Sequence, residues 1–392
     1  MKTLSIKKQT KILCAVLAIF ALAQSVYAYP PDNAAVLYYR TALVYESNDV
    51  TEHKLSDFIK GKIELDEDIE KLVEKNRHAI DFALDAAEVT NCDWGMDLSK
   101  GYKMIFPHYG ALKHIARLIL VEARIIASQG DYEIALDRCL SGHKMARHIS
   151  DRIMISYLVG VASAGMTNNC IQQILGEMPE DMETLNWLRS KLLSMESRPF
   201  SLKVCVTAEA NVALSAMYPE KAEQALEISG MSDSESVLSK ETAKRIRNAD
   251  EEFYKRNRDY HQNLNNRIMD ALDLPYQQAY VKLKQVCERP AAEFDENPDA
   301  TLSRVFSPAV QTIYSLGVQG KTQNNAVRAA VEIYRIKART GSLPDELPAD
   351  LPKDLFSGED FEYAKNDDGF ILTCRGRDLY KDELCEYAFK TR

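Results

Sequence analysis

From position 108 onward the apolar residues Ala111, Ile115, Leu118, Ile119, Val121, Ala123, Ile125 and Ile126 recur mostly three or four apart. That spacing lines them up on one face of a 3.6-residue helix. Gly130 closes the segment, and Asp131 stands where a helix N-cap belongs, ahead of Ile134, Ala135, Cys139, Leu140, Met145 and Ala146. A third apolar segment, 153–175, carries Gly160, Ala162, Ser163, Ala164 and Gly165. Side chains this small let helices approach closely. Residues 106–175 therefore predict the centre of the fold.

The same periodicity predicts helices over 34–45, 66–87, 182–195, 203–217, 275–286, 302–316 and 326–338. Breaks fall at Met178-Pro179-Glu180-Asp181 and Arg198-Pro199, and a loop lies between Arg289-Pro290 and Asn297-Pro298. Residues 91–103 form a turn-rich loop whose Trp94 fills a gap between helices. Residues 229–240 read as a polar surface segment, and 241–268 as one long solvated helix. Pro344, Pro348 and Pro352 then cluster, and the period changes to two. Residues 361–364 and 370–374 flank the turn Asn366-Asp367-Asp368-Gly369, a hairpin signal, with 385–389 as a third strand. The expected class is mainly α: an array of αα-hairpins with a small antiparallel sheet at the C-terminus. The expected divisions are a signal peptide at 1–28, a helical domain at 29–320 and a terminal helix with β tail at 321–392.

The start of the chain supplies the compartment. Lys2, Lys7, Lys8 and Lys11 precede an apolar run over 12–23, and Val26-Tyr27-Ala28 is a small-residue cleavage site. The run is short for a membrane span, which needs about 20 residues. The expectation is export to the periplasm or cell envelope, with membrane contact only through this segment where it is retained. Removing it takes the formal net charge from −9 to −13, which disfavours nucleic acid as a partner. Seven cysteines then remain. Cys374 and Cys385 fall on neighbouring predicted strands and are the disulfide candidate. Cys139, Cys170 and Cys205 sit inside helical patterns as small buried groups.

Motifs for chemistry are absent or broken. Gln319-Gly320-Lys321-Thr322 matches the end of a P-loop, but Ser315 replaces its first glycine and the context is helical. There is no Cys-x-x-Cys and no His-Glu-x-x-His. His143 and His148, five apart, point about 140° away from each other around a helix. The competing enzyme reading is a hydrolase that gathers Asp93, His108, His114 and Glu122 between the 92–101 loop and the 106–150 hairpin. No cofactor is implied.

Two resemblances bear on the fold. Gln129-Gly130-Asp131-Tyr132 with Ala135 and Gly142 resembles the turn and second helix of a tetratricopeptide repeat, over about half of one unit, with no second copy in register. At the tail, residues 330–339, Gly341-Ser342-Leu343-Pro344, residues 352–358, Phe361-Glu362-Tyr363 and Asp368-Gly369-Phe370 resemble the C-terminal part of type II secretion pseudopilins. They also resemble exported bacterial proteins of the planctomycete kind that carry such a tail after a helical body. The resemblance implies a small antiparallel sheet after a Leu-Pro turn, and Asp367 and Asp368 as calcium ligands. Asp354-Leu355 departs from the Asp-Pro usual there, and the tail lies far from the apolar N-terminal run, so fibre assembly does not follow. The function expected from these readings is a protein-binding or scaffolding module whose partner is another envelope protein. The hydrolase and an accessory role in a secretion system stand as alternatives.

Overall fold

The computed structural model describes residues 32–47, 50–104, 106, 108–195, 201–228, 240–293, 296–306 and 309–391. The signal peptide at 1–28, the Arg198-Pro199 break and nearly all of the 229–240 segment lie outside these residues. The described chain is mainly helical, with a small sheet at its C-terminus, as its periodicities predict.

Four helices lead in: α1 (Ala34–Val44), α2 (Glu52–Ile59), α3 (Glu67–Lys75) and α4 (Arg77–Glu88). Asn33, Thr51 and Asp66 cap the first three, each accepting a backbone N–H. The expected single helix over 66–87 is two, broken at Asn76. Its buried amide donates to the carbonyls of Glu46 and Leu72 and accepts the Glu46 N–H. A side chain serving a neighbouring strand of backbone interrupts a helix that the apolar pattern alone would continue.

The centre follows as α5 (His108–Ser128), α6 (Tyr132–Ile149) and α7 (Met154–Glu177), packed side by side. Gly130 turns the chain between the first two at φ 94°, a conformation open to glycine. Next come α8 (Met182–Ser194), capped by Asp181, then α9 (Leu202–Ala216), α10 (Ala222–Ile228), α11 (Lys240–Arg247), α12 (Glu251–Ala271), α13 (Tyr276–Ala292) and α14 (Thr301–Phe306). The 241–268 stretch is thus two helices, with Asp250 capping the second. Phe253, Tyr254, Asn257 and His261 bury one face of it, so it is not a wholly solvated rod. The loop expected from Pro290 does not start there: α13 runs through Pro290 to Ala292.

The largest difference is α15 (Val310–Thr340), 31 residues without interruption where two helices were expected. Gly317 and Gly320 lie between the two expected helices, and here they mark close packing. A Cβ on Gly317 would lie 2.0 Å from the Tyr157 hydroxyl of α7, and one on Gly320 would lie 3.0 Å from Val161. The expected division at 320/321 therefore falls inside one helix.

The tail forms a meander of β1 (Glu362–Asn366), β2 (Gly369–Asp378) and β3 (Glu383–Lys390), all antiparallel. It docks on the body. Phe356, Phe361, Phe370 and Phe389 share one core with Leu112, Ile115 and Ile333. Gln172 of α7 donates to the Ala388 carbonyl. The buried Asp378 accepts hydrogen bonds from Ser315 of α15 (2.7 Å) and Tyr276 of α13 (3.1 Å).

Candidate ligand-binding cavity

The residues expected to make a hydrolase are not brought together. His108 and Glu122 both lie on α5, about 21 Å apart along its axis at 1.5 Å per residue. Each is held by neighbours of its own, although the buried His108 Nε2 has no hydrogen-bond partner. His108 stacks on Trp94 at 4.6 Å, and burial lowers its pKa. Glu122 is buried between Arg77 and Arg138, whose Nε stands 3.1 Å from it. His114 stacks on Tyr45 and faces Glu52 at 3.4 Å. Asp93 is exposed, and its carboxylate accepts the Gly95 N–H within its own turn. Trp94 is the plug its sequence context predicts, 4% exposed, with Nε1 donating to the His148 carbonyl at 2.6 Å. Beside this loop, Cys92 is pushed up to about 12 by burial and by Asp151, which keeps it a thiol.

The tail candidates are also placed. Asp367 and Asp368 are exposed in the β1–β2 turn. The Asp368 N–H donates to Asn366 Oδ1, and its carbonyl accepts from Thr391. No group of three or more metal-ligating side chains occurs among the described residues. Cys374 and Cys385 are both buried and carry free thiols. They lie opposite each other where the β2–β3 register shifts, and hydrogen bonding to Cys385, then burial, holds the Cys374 thiol protonated.

Several polar side chains converge elsewhere, in a cavity of about 330 Å³ between α6, α7, α8 and α15. Its apolar wall is Val161, Ala164, Leu192, Met195 and Leu355. Its polar wall is His143 and Arg147 of α6, Asn168 of α7, and Lys321, Asn324 and Asn325 of α15. No carboxylate lines it among the described residues, in a chain whose formal net charge is −9.

His143 Nε2 stands 3.0 Å from Asn168 Oδ1. An amide oxygen only accepts, so the imidazole donates from Nε2. Burial first, then the Arg147 charge, lowers His143 to about 4, so the ring is neutral. The Asn168 amide is thereby oriented with its oxygen committed. Its Nδ2 has no partner, although the residue is 1% exposed. A buried N–H₂ without an acceptor costs roughly 1–3 kcal/mol, a penalty that a bound acceptor removes. Lys321 is open to solvent over part of its surface, and burial of the rest keeps its ammonium below the usual lysine pKa. Arg147 donates to the Met195 carbonyl and fixes the end of α8. Asn325 donates to the Lys353 carbonyl at 2.8 Å, holding the proline-marked loop over the cavity.

In the sequence these residues do not stand out as a binding site. The spacing of His143 from His148 speaks only to metal ligation, and His148 instead meets the Tyr38 hydroxyl at 3.0 Å. Lys321 stands out only as the lysine of a broken P-loop match. The available signal was the row Gly317, Lys321, Asn324, Arg328, Glu332, Arg335 and Arg339, three or four apart, which becomes visible once α15 is one helix.

Comparison with known proteins adds no relative: no family model matches the chain, and no curated protein or solved structure matches it.

Proposed function

We propose that this chain is a binding module that holds an anionic group, a carboxylate or phosphate carried by a partner, in the cavity between α6, α7, α8 and α15. The observation that carries the reading is the buried, unpartnered Asn168 Nδ2, in a wall that also holds Lys321 and Arg147 and, among the described residues, no acid. Donors without acceptors select an anion, and partial desolvation strengthens each hydrogen bond to it. Among the described residues the lining offers no Ser, Thr, Cys, Tyr or carboxylate as nucleophile or base, and its one histidine is neutral with Nε2 committed. That composition favours holding a ligand over transforming one. An envelope protein as partner, the expectation from the sequence, is compatible with such a group on a protein surface.

The test is calorimetric titration of the full chain with acetate, phosphate and succinate, alongside Lys321→Met. At least one anion should bind the wild type, and Lys321→Met should weaken it about tenfold, or about 1.4 kcal/mol. Lys321 has no ion-pair partner among the described residues, so this variant should fold normally. No binding by any of the three anions, or equal affinity in the variant, overturns the proposal.

A further inference from the structure

We infer that the cavity is the closed end of a longer trough, and that the trough takes an acidic peptide with its C-terminal carboxylate in the cavity. The inference rests on the anion reading above and deepens it. Next to the cavity lies a second depression of about 680 Å³, and Leu192 of α8 lines both. One face of α15 runs along the two, from Gly317 and Lys321 in the cavity to Arg335 and Arg339 at the far end. That is 22 residues, roughly 33 Å at 1.5 Å per residue, the length of about ten residues of extended chain. α8 forms the opposite wall, and the loop at 348–352 closes the third side.

The chemistry of the trough is graded. At the cavity end every charged or amide group can donate, which suits a chain terminus with two carboxylate oxygens. The outer part holds Arg189 and Arg335, both paired with Glu332, together with Arg328 and Arg339 against Asp350, an excess of positive charge. Between the arginines lie Leu193, Val331, Ile336 and Leu351. A mixed peptide has acidic and apolar side chains to match both, whereas a polyphosphate has only the charge. Among the described residues no aromatic side chain lines either part to stack a base, so the lining does not fit a single-stranded nucleic acid. The arginine fork also suits planar carboxylates.

The experiment is fluorescence anisotropy of the full chain with an N-terminally labelled ten-residue peptide of alternating Glu and Leu. The controls are its C-terminally amidated form and a Gln-for-Glu form. The free-acid peptide should bind more tightly than acetate, and amidation and the Gln exchange should each weaken it about tenfold or more. Arg339→Glu, at an exposed position, should remove the preference for Glu over Gln and keep the preference for a free terminus. Lys321→Met should do the reverse. If small anions bind but the peptide binds no tighter than acetate, or inorganic polyphosphate outcompetes it, the trough inference fails while the cavity reading stands. If neither small anions nor the peptide bind, both fail.

Discussion

Asn168 and His143 show how a pair of side chains can be structural on one side and open on the other. The imidazole fixes the amide and the amide fixes the tautomer, leaving one buried donor for a visitor. The depressed His143 pKa has a thermodynamic consequence. Between pH 6.5, the ordinary histidine value, and about 4, the unfolded chain binds a proton at this position and the folded chain does not. Stability therefore falls as pH drops through that window and is untouched above it. The gap corresponds to about 3 kcal/mol at its full extent. Urea unfolding from pH 7 to 4 should show a smaller loss of stability in His143→Gln than in the wild type, and parallel curves would contradict the assignment. None of this was legible in the sequence. A histidine with a depressed pKa and one with an ordinary pKa look identical until the residues of α7 are laid against it. The same is true of Glu122: it is a member of the expected hydrolase set, and two arginines from α4 and α6 account for it.

At the scale of elements, the sequence was informative wherever apolar periodicity ran unbroken. α5, α6 and α7 fall within a few residues of their expected bounds, because their burial is set by the same face that the pattern displays. It misled where a residue has two physical meanings. Glycine ends helices and also lets them touch, and only the partner helix decides between the two. Gly317 and Gly110 separate those meanings. Gly317→Ala puts a Cβ 2.0 Å from the Tyr157 hydroxyl. Overpacking of this kind should cost about 1–3 kcal/mol in chemical denaturation. At Gly110 a Cβ meets nothing within 4 Å. Gly110→Ala should then stabilise α5 by about 0.5–1 kcal/mol. Equal effects of the two substitutions would mean that α7 and α15 are not in contact at Gly317. Asn76 and Asp250 follow the same logic in polar form, since each ends or begins a helix through hydrogen bonds that no hydrophobic pattern records.

At the scale of the molecule, the tail is part of the body. Its phenylalanines complete the central core, and Asp378 joins α13 and α15 to the end of β2. The hairpin was legible because a turn between β-prone runs is a local signal, whereas docking depends on contacts more than 50 residues apart. The cavity belongs to this scale too. Its walls come from α6, α7, α8, α15 and the loop before β1, five segments that come together only in the folded chain. The most direct test of the account is to locate an anion. Crystals of the full chain soaked in bromide, with data collected at the bromine absorption edge, should show an anomalous peak within hydrogen-bonding distance of Asn168 Nδ2 on the side facing Lys321. Bromide found only on the outer surface, with no peak in the cavity, would contradict it.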